Sequence, residues 1–384
     1  MRKIKVLTVF GTRPECIKMA PLIKKLECTQ EFDSLVCVTA QHRQMLDQVL
    51  DIFDIGVDFD LNIMKERQTL VDITTRALEG LFEVYQKVRP DIVLVHGDTT
   101  TTFVASLAAF YSKIKVGHVE AGLRTFDRYF PFPEEINRKL TGCLANIHFA
   151  PTRKNSENLI RESVDDSSIY ITGNTVIDAL NLTVSDEYKF ENEDLKKVEF
   201  KNKKVLCVTA HRRENIGEPL ENICNAIKRI AMQKNDVEVV YPVHLNPAIK
   251  DTVYKYLKNL PNVYLIDPIN VRDMHNLMAR SYLVLTDSGG IQEEAPSLGK
   301  PVLVLRNETE RLEAVSAGTV KIAGTNEEEI YCLTESLLES YQEYDKMAKA
   351  VNPYGDGKAS ERIVSALLYE FGFSKEKVES FIVQ

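Results

Sequence analysis

The 384-residue chain has no tryptophan, and aromatic residues make up only 8% of it, too few for the stacking platforms that hold single-stranded nucleic acid. It also lacks a basic excess. Lys and Arg number 48 against 56 Asp and Glu, a net charge of -8, so a surface that seeks phosphate backbones is not expected and nucleic acid is excluded as a partner. The seven cysteines (Cys16, Cys28, Cys37, Cys143, Cys207, Cys224 and Cys332) are an odd number with no CxxC pair and no zinc spacing to histidine, so they read as reduced, mostly buried side chains. No HExxH or similar ligand pair is present, and no metal site is expected. No run approaches the ~18 apolar residues of a membrane span. Met1-Arg2-Lys3-Ile4-Lys5 leads into a strand pattern rather than the apolar core of a secretion signal, which points to a cytoplasmic protein with no membrane partner. GxGxxG and GxxxxGK[ST] are both missing, so neither a dinucleotide fingerprint nor a Walker loop is available and no cofactor is expected.

What is present is a repeated alternation. Lys5 to Phe10, Ser34 to Thr39, Asp91 to His96, Lys115 to Glu120 and Ile147 to Ala150 are short apolar runs, separated by segments such as His42 to Phe53 and Leu70 to Val88 with apolar residues three and four apart. Strands without polar alternation, separated by helices, predict a parallel sheet covered on both faces. The scheme recurs at Lys204 to Thr209, Glu238 to His244, Val263 to Ile266, Leu283 to Thr286 and Pro301 to Leu305. Lys5-Val6-Leu7 with Arg13 and Glu15 is echoed by Lys204-Val205-Leu206 with Arg212 and Glu214, an internal similarity that favours two related halves. The expected fold class is α/β: two Rossmann-like, doubly wound parallel-sheet domains facing a central cleft. The predicted boundaries are 1–173 for the first domain and 174–358 for the second, with a terminal helix in 359–384 packing back on the first.

Charged residues and glycines gather where the strands end. Gly11-Thr12-Arg13 through Lys18 follows the first strand, Gly97-Asp98 and four threonines follow the run Asp91 to His96, and His211-Arg212-Arg213, His244 and Asp287-Ser288-Gly289-Gly290 follow strands of the second half. Ser288-Gly289-Gly290 opens a helical segment and suits either a phosphate at a helix N-terminus or a plain tight turn. Arg13, Lys18, Arg212, Arg213 and Arg311 are cations for a diphosphate, or surface salt-bridge partners. Asp98, Glu120, Glu134 and Glu135 are acids placed where burial and mutual repulsion can tune them for proton transfer; helix capping is the alternative for Asp98, and first-turn helix stabilisation for Glu134 and Glu135. His211 and His244 follow strands directly, whereas His96, His118 and His148 lie inside strand patterns and read as hydrogen-bonded core residues.

Taken together, the ordered motifs resemble the non-hydrolysing UDP-N-acetylglucosamine 2-epimerases. They include Phe10-Gly11-Thr12-Arg13-Pro14-Glu15, His96-Gly97-Asp98-Thr99-Thr100, His118-Val119-Glu120-Ala121-Gly122-Leu123-Arg124 and Pro133-Glu134-Glu135-Ile136-Asn137-Arg138. They continue through His211-Arg212-Arg213-Glu214-Asn215, Asp287-Ser288-Gly289-Gly290-Ile291-Gln292-Glu293-Glu294 and Glu308-Thr309-Glu310-Arg311. The likeness runs from Lys5 to about Ile363. It implies a GT-B-like arrangement with the nucleotide mainly on the second domain: Ser288, Gly289 and Gly290 on the diphosphate, Glu294 on the ribose, and Arg13, Lys18, His211 and Arg311 around the departing UDP. It implies acid–base and supporting roles for Asp98, Glu120, Glu134 and Arg138. The implied reaction converts UDP-GlcNAc to UDP-ManNAc by elimination of UDP to 2-acetamidoglucal and re-addition, supplying ManNAc precursors for cell-surface polysaccharide. Gln41, His42, Gln44, Arg67 and His244 match a site at which some bacterial members hold a second UDP-GlcNAc as an allosteric activator, and the family implies a homodimer. Leu312, Cys16 and Met274 depart from the family pattern, which has proline, alanine and an aromatic there. The same pocket would also serve a GT-B glycosyltransferase, a hydrolysing epimerase releasing ManNAc and UDP, or a sugar-nucleotide sensor, although a sensor has little use for several acids at strand ends.

Overall fold

The computed structural model describes residues 2–40, 43–65 and 68–383, and the side chains of 43–45 are left aside. Strands and helices alternate along the chain as β1 (Ile4–Phe10), α1 (Arg13–Glu27), β2 (Phe32–Val38), α2 (Arg43–Phe53), β3 (Phe59–Asp60), α3 (Leu70–Val88), β4 (Ile92–His96), α4 (Thr100–Tyr111), β5 (Lys115–Val119), α5 (Glu134–Leu144), β6 (Ile147–Ala150), α6 (Arg153–Arg161), β7 (Ile169–Ile171) and α7 (Thr175–Thr183). They continue as β8 (Lys204–Thr209), α8 (Glu218–Gln233), β9 (Val237–Pro242), α9 (Pro247–Leu257), β10 (Val263–Ile266), α10 (Val271–Arg280), β11 (Leu283–Thr286), α11 (Gly289–Ser297), β12 (Val302–Val304), α12 (Leu312–Ala317), β13 (Val320–Ile322), α13 (Glu327–Glu339), α14 (Tyr341–Ala348) and α15 (Ala359–Glu370).

Two compact units result, one of Met1–Leu182 with Tyr354–Ile382 and one of Thr183–Pro353 with Val383–Gln384. In the first, seven strands run in the order β3-β2-β1-β4-β5-β6-β7, all neighbours parallel. Burial at all five positions of β4 explains why these strands read as unbroken apolar runs: helices cover both faces of the sheet. Leu7, Val9, Val93, Val95, Leu81 and Tyr85 form part of the core between the sheet and α3 and α4. In the second unit six parallel strands run β10-β9-β8-β11-β12-β13, with Leu206, Val239, Leu285 and Ile227 among the core residues. Both units are therefore Rossmann-like doubly wound sheets.

Each order reverses once, between β1 and β4 and between β8 and β11. At such a reversal the flanking connections leave to opposite faces, and the strand C-termini border an open crevice where ligands bind. The loops after β1 and β4 hold Arg13 and Asp98; those after β8 and β11 hold His211 and Ser288 to Gly290. Strands β3 and β13, of two and three residues, are absent from the sequence reading.

The first unit does not end at 173. Asn174 N donates to Tyr354 O at 2.6 Å, and Asp178 on α7 accepts from Ala359 N at 3.1 Å and Ser360 N at 2.7 Å, capping α15. These bonds attach α7 and α15 to the same unit. The same first turn of α15 reaches α1, where Lys25 meets Glu361 at 2.9 Å.

Gly122 has φ +90°, and a Cβ there would stand 2.2 Å from the backbone oxygen of Asn155. Backbone cannot step aside as a side-chain end can, so Gly122→Ala combines left-handed strain with a hard overlap. The expected loss is about 3 kcal/mol, a large share of a typical 5–15 kcal/mol stability. Urea unfolding tests this, and an unchanged midpoint would refute it.

Candidate functional site

In the first unit the loop after β1 is held from below. Glu15, 2% exposed, accepts from Gly11 N at 3.0 Å and Thr12 N at 2.8 Å. It also accepts from Thr99 Oγ1 at 2.6 Å, which ties the β1 loop to the start of α4. Thr102 Oγ1 donates to the carbonyl of His96 at 2.5 Å, and Thr101 Oγ1 lies 3.0 Å from Thr39 Oγ1. Three of the four threonines after Asp98 thus fasten loops together. The fit has no slack, because a Cβ at Gly11 would lie 2.1 Å from Thr39 Oγ1. Arg13 rises from this loop, and its partial burial lowers its pKa by desolvation.

Asp98 does not cap α4. Thr99 does so, its hydroxyl accepting from Thr102 N at 3.1 Å. Asp98 instead meets Arg138 Nη2 at 2.9 Å, with its side chain 29% exposed. Arg138 is aimed by Glu135, whose carboxylate lies 3.4 Å from Nη1 and is fully buried; Glu135 also accepts from Thr125 N and Phe126 N, each at 3.1 Å. Glu135, an acid candidate from sequence, is therefore a positioning group. Burial raises the Asp98 pKa; Arg138 opposes this, while Glu120 and Glu134 add to it. The last two effects bring three carboxylates into one neighbourhood. Glu134 is the first residue of α5, half-buried.

Glu120 closes the group. It sits just past β5 at φ +62°, left-handed geometry that costs a glutamate about 1–3 kcal/mol and persists where surrounding bonds dictate it. Those bonds come from Lys18 Nζ and from Asn174 Nδ2 at 2.9 Å, with His96 Nε2 at 3.6 Å. Burial would raise its pKa, but the Lys18 charge, the nearby His96 and their hydrogen bonds outweigh that and hold Glu120 well below the usual carboxylate range. Lys18, expected beside a diphosphate, has this carboxylate as its ion-pair partner. Asp98 and Glu120 are thus acids of opposite readiness to carry a proton.

The second unit supplies cations around a helix start. Asp287, fully buried, accepts through Oδ2 from His211 N and Arg212 N at 2.8 Å each and from Asn215 Nδ2 at 3.0 Å, stitching the loop after β8 to the end of β11. The His211 ring stacks on His244 at 5.8 Å and 9°. Burial lowers the His211 pKa, with His244 and Arg212 adding to the effect and Asp287 opposing it. Ser288 is the N-cap residue of α11 but makes no side-chain cap bond, which removes the simple Ser-cap reading. A Cβ at Gly289 would lie 3.2 Å from Glu310 Oε1, 3.6 Å from Arg311 Nη2 and 3.7 Å from Arg212 Nη2, so the start of α11 lies beside two guanidiniums and the carboxylate that pairs with both. That arrangement binds anions. Arg311 is oriented through Nε by buried Glu293. One helical turn on, Glu294 lies 3.5 Å from His275 Nε2, and His275 Nδ1 lies 2.7 Å from Thr183 Oγ1.

Of the residues matched to the activator site, Gln41, His42 and Arg67 lie outside the described residues, as does the side chain of Gln44; His244 stands beside His211. Glu15, Asn174, Asp287 and Glu293 were not singled out from sequence as site residues. Only Glu15 carries a legible signal, as the fourth residue of the box Thr12-x-x-Glu15. Among the described residues no group of three or more His, Cys, Asp or Glu could hold a metal ion, and no helix is long and apolar enough to cross a membrane.

The family model described as UDP-N-acetylglucosamine 2-epimerase matches residues 24–368. The chain belongs to this epimerase family. The UDP-N-acetylglucosamine 2-epimerase of Bacillus subtilis strain 168 is 59% identical over 381 residues, 99% of each chain. The crystal structure of UDP-GlcNAc 2-epimerase from Neisseria meningitidis bound to UDP-GlcNAc is 51% identical with a TM-score of 0.84, covering 95% of this chain and 100% of that one. The S. aureus MnaA–UDP co-structure is 48% identical with a TM-score of 0.89, covering 99% and 100%. The family match covers residues of both units, the acid cluster of the first and the helix start of the second included.

Proposed function

We propose that the chain interconverts UDP-GlcNAc and UDP-ManNAc at C2, by elimination of UDP and re-addition without net hydrolysis. The observation that carries the reading is a pair of strand-end carboxylates held by different partners, Asp98 facing Arg138 at 2.9 Å and Glu120 paired with Lys18 and Asn174, with burial raising the first and its partners lowering the second. The C2 proton has no carbonyl beside it, so direct removal as an enolate is closed. Elimination circumvents this: a base takes the C2 proton as the C1–O bond breaks, the electron pair of C–H becomes the C1=C2 bond, and UDP leaves with the C–O pair. Re-addition of a UDP oxygen to C1, with a proton delivered to the other face of C2, gives the epimer. Two proton carriers are needed, one for each face. Asp98 and Glu134 take these roles in the proposal, because Glu120 is too weak a base while paired; its fixed charge tunes Asp98.

Charge develops on the departing diphosphate. Ser288, Gly289 and Gly290 with Arg311 are assigned to it, Arg13 and neutral His211 assist, and Glu294 takes the ribose hydroxyls. A well-placed donor on developing charge is worth about 3 kcal/mol, roughly a hundredfold in rate. The family resemblance extends the proposal to a second UDP-GlcNAc as activator at Gln41, His42, Gln44, Arg67 and His244, to a homodimer, to a cytoplasmic location and to supply of ManNAc precursors for polysaccharide. Incubating the protein with UDP-GlcNAc alone in D2O and following C2 by NMR tests the reaction. Deuterium at C2 with UDP-ManNAc appearing and no stoichiometric free UDP is the expected result. An inert sample refutes the reading, and stoichiometric UDP with free ManNAc replaces it by hydrolysis.

A further inference from the structure

His118 lies near the C-terminal end of β5 and is 1% exposed. Its Nε2 stands 2.7 Å from the carbonyl oxygen of Gly97. A carbonyl only accepts, so Nε2 carries the proton. Nδ1 has no hydrogen-bond partner among the described residues, so in the neutral ring Nε2 is the donor and Nδ1 carries the lone pair. Burial pushes the imidazole down to about 3, with His148, Arg124 and His96 adding to the shift and the Gly97 bond opposing it, which favours the neutral ring.

Gly97 is an unusual residue to grip. It has φ +69°, and its N–H donates to Val119 O at 2.9 Å. Both polar groups of Gly97 are thus bound by the same stretch of β5, one by backbone and one by the His118 ring. Asp98 follows Gly97 directly, and Glu120 follows Val119. Asn137 Nδ2 takes the carbonyl of Asp98 itself at 3.0 Å, so the turn is anchored on successive carbonyls.

We propose that His118 is a positioning residue for the proton transfer: by holding the Gly97 carbonyl it fixes the turn that aims Asp98 against Glu120. This rests on the epimerisation reading above. A displacement of about 1 Å at a reacting group lowers rates around a hundredfold, whereas a histidine that merely fills the core would be replaceable by an apolar ring.

His118→Phe keeps the volume and loses the donor; His118→Gln keeps a donor able to reach the carbonyl. For each, kcat, KM for UDP-GlcNAc, C2 exchange in D2O, UDP affinity and Tm are measured. His118→Phe is expected to lose about a hundredfold in kcat and C2 exchange, with KM and UDP affinity within twofold of wild type, and His118→Gln to recover at least a tenth of the wild-type rate. In the wild-type protein 15N NMR should report a neutral ring protonated at Nε2 from pH 5 to 8. Wild-type kcat in His118→Phe overturns the proposal, as do equal kcat losses in both variants that follow their Tm, or a ring that is charged or protonated at Nδ1. Should His118→Phe fail to fold, the His118→Gln rate and the NMR signature decide. A wild-type protein inert in D2O refutes the epimerisation reading itself, a result separate from these.

Discussion

Asp98→Asn is expected to lower kcat by about a thousandfold or more with UDP affinity nearly unchanged. Asparagine keeps the shape of the side chain and can still accept from Arg138, which lies at 2.9 Å, so folding should be preserved. What it loses is the capacity to take and return a proton. The loss should fall equally on kcat and kcat/KM, the mark of a group acting in the transition state. The pH profile adds a sign. Burial first, then Glu120 and Glu134, hold Asp98 above the ordinary aspartate value despite Arg138. If Asp98 acts as base, kcat rises with pH through that elevated value; if it acts as acid, kcat falls through it. In either case the limb disappears in Asp98→Asn. UDP affinity falling as far as the rate would assign Asp98 to binding instead.

Glu120→Gln should fail in two ways at once. The Glu120 and Lys18 side chains are 10% and 16% exposed, so removing one charge strands the other in a poorly solvated place at a cost of about 3 kcal/mol. The pH dependence of that cost follows from the direction of the shift. The folded carboxyl lies below the ordinary glutamate value of 4.5, so its stabilisation is complete above about pH 4.5 and declines as pH falls through the lower folded value. The Tm difference between wild type and Glu120→Gln should therefore be full at pH 7 and shrink below pH 4.5. Turnover should drop by about a hundredfold or more, because the charge that raises Asp98 is gone. Equal Tm values at pH 7 would count against the ion pair as a stabilising element.

The fold was readable because parallel strands have to be apolar on both faces. β1, β4, β8 and β11 stand out in the sequence for that reason, and they are the four strands that border the order reversals. The site was readable to the extent that polar residues follow those strands directly: Asp98, Glu120, His211 and the Ser288 to Gly290 turn all sit where strand ends predict. Sequence could not show which acid is ionised. That depends on Lys18 reaching Glu120 from a helix some hundred residues earlier in the chain and on Arg138 reaching Asp98 from α5. Nor could it tell Glu135 from Glu134. The two are adjacent on the chain, yet one is fully buried under Arg138 and two backbone N–H groups while the other is half-buried beside Asp98. The terminal helix was expected on the first unit; what sequence did not show is that α7 belongs there too, tied by Asp178 to Ser360 across 182 residues.

That last tie also bears on how the chain is made. The first unit contains α15, which follows the whole of the second unit in sequence. During synthesis the sheet β1 to β7 leaves the ribosome before Ala359 and Ser360, the two residues whose N–H groups Asp178 of α7 accepts in the folded unit. The Thr183–Pro353 unit, continuous apart from its last two residues, is complete before its predecessor is. A continuous domain can close as it emerges, whereas the half bearing the acid cluster is complete only once α15, which follows the second unit in sequence, has emerged to dock against α1.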